Sequence, residues 1–175
     1  MRLFIAVNFS PNTLSGLIEA RERLRKMCLG KGSFTQDANL HLTLAFLGEV
    51  EAERAGLAAE AMEAARGRTM ELVFDRAGRF KGTGGDIWWA GGPENPALAA
   101  VQRRLARGLV SRGFELEARR FIPHVTLARR VPEPEGRPEL FETPVTERVG
   151  ALSLMRSELG RGAPRYTELE RVALE

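Results

Sequence analysis

The 175-residue chain has the length of one compact domain, and its 43% hydrophobic and 28% charged residues are ordinary for a soluble globular protein. Its 26 Lys and Arg against 23 Asp and Glu permit an anionic substrate without demanding one. No apolar run approaches the roughly 20 residues that span a bilayer, so no membrane partner is expected. The solitary Cys28 excludes an internal disulfide framework and fits a reducing cytoplasm.

Residues Met1 to Asn8 read as a first strand, their apolar part being too short for a signal peptide. Ser10-Pro11 has the pattern of an N-cap with proline at the first helical position. Leu14, Leu17, Ile18, Leu24 and Cys28 then recur at helical spacing until Gly30 to Ser33 end the helix. Cys28 falls on that apolar face, the place of a small buried hydrophobe rather than a nucleophile. Phe34 to Asn39 lead into an alternating strand that closes at Gly48. Glu51 to Arg66, rich in Ala, Glu and Arg, predict a second helix with Gly67 beyond its end. Met70 to Phe74 predict a strand running on irregularly to Phe80. The glycine cluster Lys81–Asp86 lacks the Gly-Lys-Ser/Thr of a phosphate loop and reads as a hairpin connection to the strand Ile87–Ala90. Trp88 and Trp89 face opposite sides of that strand, with core packing the expected role for both.

Asn95-Pro96 caps a third helix, whose buried stripe is Leu98, Val101, Leu105 and Leu109. Its outer arginines, Arg103, Arg104 and Arg107, read as a solvated face rather than an RNA platform. A second alternating strand follows Phe121. Val131 to Pro138 form a proline-rich surface loop, and Val149–Met155 and Tyr166–Val172 are two further strands joined by a turn at Gly160–Pro164. The order is strand, helix, strand, helix, strand, strand, helix, strand, strand, strand. It predicts an α+β fold with helices packed on antiparallel sheets.

The two alternating strands carry a repeat. His41-Leu42-Thr43-Leu44-Ala45 and His124-Val125-Thr126-Leu127-Ala128 agree at four of five positions, and they hold both histidines of the chain. On a strand, residues i and i+2 share a face with Cα atoms about 6.5 Å apart. Each His-Thr couple therefore projects together, while Leu42, Leu44, Val125 and Leu127 point to the core. One such histidine is ordinarily structural. Two in the same context, each with a hydroxyl at +2, point to shared chemistry. The simplest architecture makes the two halves lobes related by a pseudo-twofold, with the motifs facing each other across a cleft.

Two imidazoles, with ordinary pKa values of about 6.5, can divide acid and base work. A phosphodiester hydrolysis needs that division: a base for water and an acid for the departing oxygen. The threonine hydroxyls can hold non-bridging phosphate oxygens. Arg129 is the best further donor for the charge that develops there, ahead of Arg130, Arg119 and Arg120; the alternative for Arg129 is a surface arginine at a strand end. A zinc site lacks a third ligand at any recognised spacing, and no Gly-x-Ser-x-Gly elbow supports an ester hydrolase. No metal ion and no cofactor is called for.

At these residues the sequence resembles the two-histidine phosphoesterase superfamily, and within it the RNA 2′,3′-cyclic phosphodiesterases historically called 2′-5′ RNA ligases. The likeness includes Arg2–Val7, Asn39–Val50, Phe121–Arg129 and the closing pattern of Ser157, Leu159, Gly162, Tyr166 and Leu169. It implies a single two-lobed domain over residues 1–175, with two antiparallel sheets flanking a central water-filled cleft and helices outside. It implies metal-independent hydrolysis of a 2′,3′-cyclic phosphate to the 2′-phosphate, on RNA ends, oligonucleotides or nucleoside cyclic phosphates. His41 matches the proton donor to the 3′ oxygen, His124 the acceptor that activates water, and Thr43 and Thr126 the phosphate anchors. Reversal of the reaction gives 2′-5′ joining with the histidines' roles exchanged. Beside this reading stand a binding module that holds RNA ends or a nucleotide in the cleft without turnover, and phosphoryl or RNA-end ligation as the main role. A cytoplasmic monomer is expected. Lys81–Asp86 departs from the family in being richer in glycine.

Overall fold

The computed structural model describes residues 1–134 and 136–175, so Glu135 of the proline-rich loop lies outside the described residues. The chain runs β1 (Arg2–Val7), α1 (Pro11–Met27), β2 (Ser33–Phe34), β3 (Leu42–Glu49), α2 (Ala55–Ala65), β4 (Met70–Phe74), β5 (Arg76–Phe80), β6 (Asp86–Gly91), α3 (Pro96–Ser111), β7 (Val125–Val131), β8 (Val145–Val149), β9 (Ala151–Glu158) and β10 (Arg165–Ala173). The three helices stand where the apolar periodicity puts them. The stripe Leu98, Val101, Leu105 and Leu109 is buried, and the Asn95 side chain accepts from the Leu98 N–H at 3.0 Å. The start of α1 is built differently from the expected serine cap. Ser10 N–H and Oγ–H both donate to the carboxylate of Glu147, as does the Thr13 hydroxyl, so a buried acidic group from β8 satisfies the positive end of the helix.

Among the described residues ten strands replace the seven read from sequence, because β2 and β8 were unforeseen and β5 is separate from β4. An antiparallel pair, β4 with β8, stands apart from an eight-stranded antiparallel sheet ordered β10-β9-β1-β3-β7-β6-β5, with β2 added along β7. That large sheet consists of two half-sheets: β10, β9, β1 and β3 on one side, β7, β6, β5 and β2 on the other. They join at one pair, Leu42↔Val125. The half-sheets are the two lobes, each holding one copy of the repeat.

The lobes do not follow the halves of the chain. α1 packs against β7 and β8, whereas α2 and α3 pack against β9, β10 and β3. β9 and β10, last in sequence, flank β1. The chain builds part of the second lobe with α1 and β2 before crossing to β3. Helices cover one face of the sheet over a core that includes Leu17, Leu24, Leu42, Leu105 and Leu127. The opposite face is left for the site.

Candidate active site

His41 and His124 each sit one residue before a strand, β3 and β7, and Leu42↔Val125 is the pair that joins those strands. Leu42 and Val125 are buried on the helix side. By alternation, His41 and Thr43 on one strand and His124 and Thr126 on the other bracket that pair on the open face. Facing residues of such a pairing lie about 4.5–5.5 Å apart at Cβ.

Both rings are held alike. The Nδ1–H of His41 donates to the carbonyl of Asn39 at 2.7 Å, and that of His124 to the carbonyl of Ile122, also at 2.7 Å. This tautomer leaves Nε2 of each ring for chemistry. In His41 that nitrogen lies 2.9 Å from the Thr43 hydroxyl. Asn39 is itself buried and anchored by its Nδ2–H to the Pro164 carbonyl at 2.8 Å, so it fixes the His41 ring at one remove. Aromatic rings flank each imidazole: Phe4 and Tyr166 at 4.9 and 5.2 Å from His41, Phe80 and Trp89 at 5.0 and 5.8 Å from His124.

Burial is the main cause that pushes both imidazoles below their ordinary 6.5. The hydrogen bonds to the backbone carbonyls work against it. The positive charges of His124 and Arg129 push His41 down further, and those of Arg129 and Arg119 do the same to His124. The charge of Arg129 thus acts on both rings, as well as on the Tyr166 phenol, which burial raises.

Strict alternation cannot account for the placement of Arg129. Across β6, Trp89 pairs with Thr126 but Trp88 pairs with Ala128, so Leu127 is an extra residue. Across β1, Ala6 pairs with Thr43 but Ile5 pairs with Ala45, so Leu44 is the extra one. Each repeat carries a β-bulge immediately after its threonine. The carbonyls of both extra residues find donors elsewhere: Leu44 from Gln102 Nε2 at 3.3 Å, Leu127 from Thr35 N–H at 2.9 Å. The bulge reverses the alternation and turns the residue three beyond each threonine onto the open face. Those residues are Phe46 and Arg129.

The five residues expected at the site, His41, Thr43, His124, Thr126 and Arg129, share one face. Arg119 pairs with Glu117 in solvent, and Arg130 is exposed in a left-handed conformation with φ 54°. Trp89 differs from expectation. Trp88 is core, but Trp89 lies on the open face beside His124, its ring against the α-carbon of Gly78, where any Cβ would collide with it. Sequence reasoning also gave no role to Phe4, Phe80 or Asn39. Cys28 is buried and its thiol pushed up by burial, as suits a packed hydrophobe. Among the described residues no group of three or more His, Cys, Asp and Glu gathers where a metal ion could bind, and no helix is long and apolar enough to cross a membrane.

Two matched imidazole–hydroxyl couples and Arg129 share one open face. Residues 14–161 match the family described as the 2′-5′ RNA ligase superfamily, and the chain belongs to it. The RNA 2′,3′-cyclic phosphodiesterase of Thermus thermophilus is 38% identical over 99% of this chain and 90% of its own length. The crystal structure of E. coli LigT in apo form superposes with a TM-score of 0.86 at 30% identity, covering 99% of this chain and 96% of that one. LigT complexed with 3′-AMP gives 0.85 at the same identity over 99% and 97%. The α+β fold and the phosphoesterase class are therefore those of this chain.

Proposed function

We propose that the protein hydrolyses the 2′,3′-cyclic phosphate of RNA ends, oligonucleotides or nucleosides to the 2′-phosphate, without a metal ion, as a cytoplasmic monomer. The observation that carries this reading is the single Leu42↔Val125 pairing with a His-Thr couple on either side of it. Nε2 of His124 has no protein partner among the described residues, so it is free to take a proton from water. The water oxygen bonds to phosphorus as the P–O3′ bond breaks, and the 3′ oxygen takes the proton of His41 Nε2. Thr43 and Thr126 hydroxyls hold the non-bridging oxygens, and Arg129 balances their charge. The free enzyme holds both imidazoles toward neutrality; the arriving phosphodiester anion offsets the repulsion from Arg129 and favours protonation of His41. The relative in T. thermophilus bears the same activity in its name, and LigT binds a mononucleotide. With the 5′ hydroxyl of a second RNA in place of water, the same groups open the cyclic phosphate into a 2′-5′ bond as the P–O3′ bond breaks; in the reverse of that joining the histidines exchange roles.

The test is turnover of a 2′,3′-cyclic substrate in EDTA, with the 2′-phosphate as product. His41→Ala and His124→Ala should each cut kcat by about 10²-fold or more, the usual worth of a general acid or base. A loss below about 10-fold in both, in folded protein, overturns the reading. Joining rates on the same RNA, measured beside hydrolysis, decide whether the reverse direction matters.

A further inference from the structure

β3 and β7 share one pair and then part. β6 fills one edge of β7, so β2 runs along the edge that β3 leaves, pairing Phe34 with Ala128 and Ser33 with Arg129. Thr35, next in line, stands at the fork itself. Its N–H donates to the Leu127 carbonyl at 2.9 Å and its hydroxyl to the Thr126 carbonyl at 2.8 Å. It thereby holds the backbone of the second motif's threonine and of the extra residue in its bulge. The chain then makes a single turn at Asp37–Asn39, and the Asn39 carbonyl accepts from Nδ1–H of His41 at 2.7 Å. Residues 35–39 therefore touch both motifs. Gln36, Asp37 and Ala38 are exposed, so the stretch gains little rigidity from packing of its own. It is gripped instead from α1. The Arg21 side chain is 8% exposed, and its Nη1 donates to the Thr35 carbonyl at 2.7 Å and to Asp37 Oδ1 at 2.6 Å. Its Nε and Nη2 donate to Glu22 Oε1 at 3.2 and 3.0 Å. A buried guanidinium is costly unless its donors are met. Here a backbone carbonyl and two carboxylates meet them, and charge-assisted bonds of fixed geometry define one position for Thr35.

We infer that Thr35 and Arg21 are positioning residues of the reaction: Thr35 seats the second motif, and Arg21 fixes the stretch that sets the separation of the two His-Thr couples. The inference rests on the cyclic-phosphodiesterase reading, in which both couples act on one phosphorus. Thr35 acts through the Thr126 and Leu127 carbonyls and Arg21 through the Thr35 carbonyl, so neither takes part in the proton transfers. Each couple lies on its own strand, and a phosphate bound there meets a hydroxyl and an imidazole even when the spacing between couples is imperfect. The transition state needs both couples at once, with the attacking water and the 3′ oxygen in line. A misplacement of about 1 Å can cost about 10²-fold in rate. Loosening the fork therefore lowers kcat and largely spares binding.

The experiment measures kcat and KM for adenosine 2′,3′-cyclic phosphate, and the inhibition constant of adenosine 2′-phosphate, in wild type, Thr35→Val, Thr35→Ser, Asp37→Ala and Arg21→Gln. Assays run well below each variant's Tm, and circular dichroism checks that each folds. Thr35→Val keeps the shape and the N–H and loses only the donor to Thr126. It should lower kcat about 10-fold, with KM and the inhibition constant within about 3-fold of wild type. Thr35→Ser, which restores the hydroxyl, should bring kcat back to within about 3-fold. Asp37→Ala removes an exposed carboxylate that Arg21 holds and leaves the core untouched; it should lower kcat by about 3-fold to 10-fold with the same split. Arg21→Gln breaks that grip from the helix and should lower kcat at least as far; should it unfold, Asp37→Ala decides alone. A kcat loss below about 3-fold in Thr35→Val or Asp37→Ala, or one that Thr35→Ser does not restore, overturns the positioning role. So does a fall in Tm with kcat unchanged, which would mean that the fork serves the fold alone. Wild-type turnover in those cases keeps the phosphodiesterase reading intact. Wild-type failure on the cyclic phosphate removes that reading and the positioning role with it.

Discussion

The two copies of the repeat share backbone, tautomer and bulge, yet their surroundings differ. His41 is the more enclosed; its Nε2 meets the Thr43 hydroxyl at 2.9 Å, and the buried Asn39 braces its ring from behind. His124 follows an exposed, irregular segment, Ile122-Pro123, and its Nε2 has no protein partner among the described residues. A ring already engaged by a hydroxyl is positioned to deliver a proton along one direction. A ring open to solvent can take a proton from whichever water the phosphate orients. In the proposed reaction, the differences around two otherwise equivalent groups divide the labour between them.

That contrast can be broken or sharpened by experiment. The largest effect is expected from the histidines together: if they act as one unit, the His41→Ala/His124→Ala double variant falls little below the worse single variant, and multiplicative losses would show that they work independently. Next come the threonines. Thr43 meets the His41 ring and, in the proposed reaction, also the phosphate, so Thr43→Ala should lose more of kcat/KM than Thr126→Ala, with the former near 10²-fold on the scale of a hydrogen bond to a charged group. Equal losses would mean that the Thr43–His41 contact does nothing in turnover. Arg129→Gln removes a positive charge that lowers both rings. Both limbs of the kcat/KM profile should move to higher pH, alongside a loss of roughly 10-fold; a profile that stays put would place the arginine's effect outside the rings. The smallest effect is on stability. Both imidazoles have folded-state values below the ordinary 6.5, so the unfolded chain binds the additional protons in acid. Their contribution is intact above pH 6.5 and declines as pH falls through the folded values. Tm between pH 7.5 and 5.5 should therefore drop less in His41→Gln than in wild type, and the change should be smaller for the less enclosed His124.

The couples were legible in the sequence because the pattern occurs twice and contains every histidine. The helices were legible because their stripes are long; Leu98 to Leu109 needed no tertiary information. The bulges were not. Plain alternation sends Phe46 inward with Leu42 and Leu44, and only the register against β1 shows that it turns out. Strand β8 escaped because Val145-Thr146-Glu147-Arg148-Val149 is polar at its centre; Glu147 is buried there as the acceptor for the start of α1, a reason invisible locally. Trp89 looked like core because a tryptophan beside another usually is; it lies on the open face because Gly78, across the hairpin, leaves room for its ring. The division into lobes could not be read from chain order, since α1 and β2 are built onto the lobe opposite the strand they precede.

The single rung between Leu42 and Val125 has a consequence for how the enzyme comes into being. Its partners lie far apart in the chain, so closing that loop carries an entropic cost, and β2, paired with β7, spans nearly the same separation. No fragment bearing one motif can bring both His-Thr couples together. During refolding, turnover should return with the docking of the half-sheets, after helical signal has already recovered.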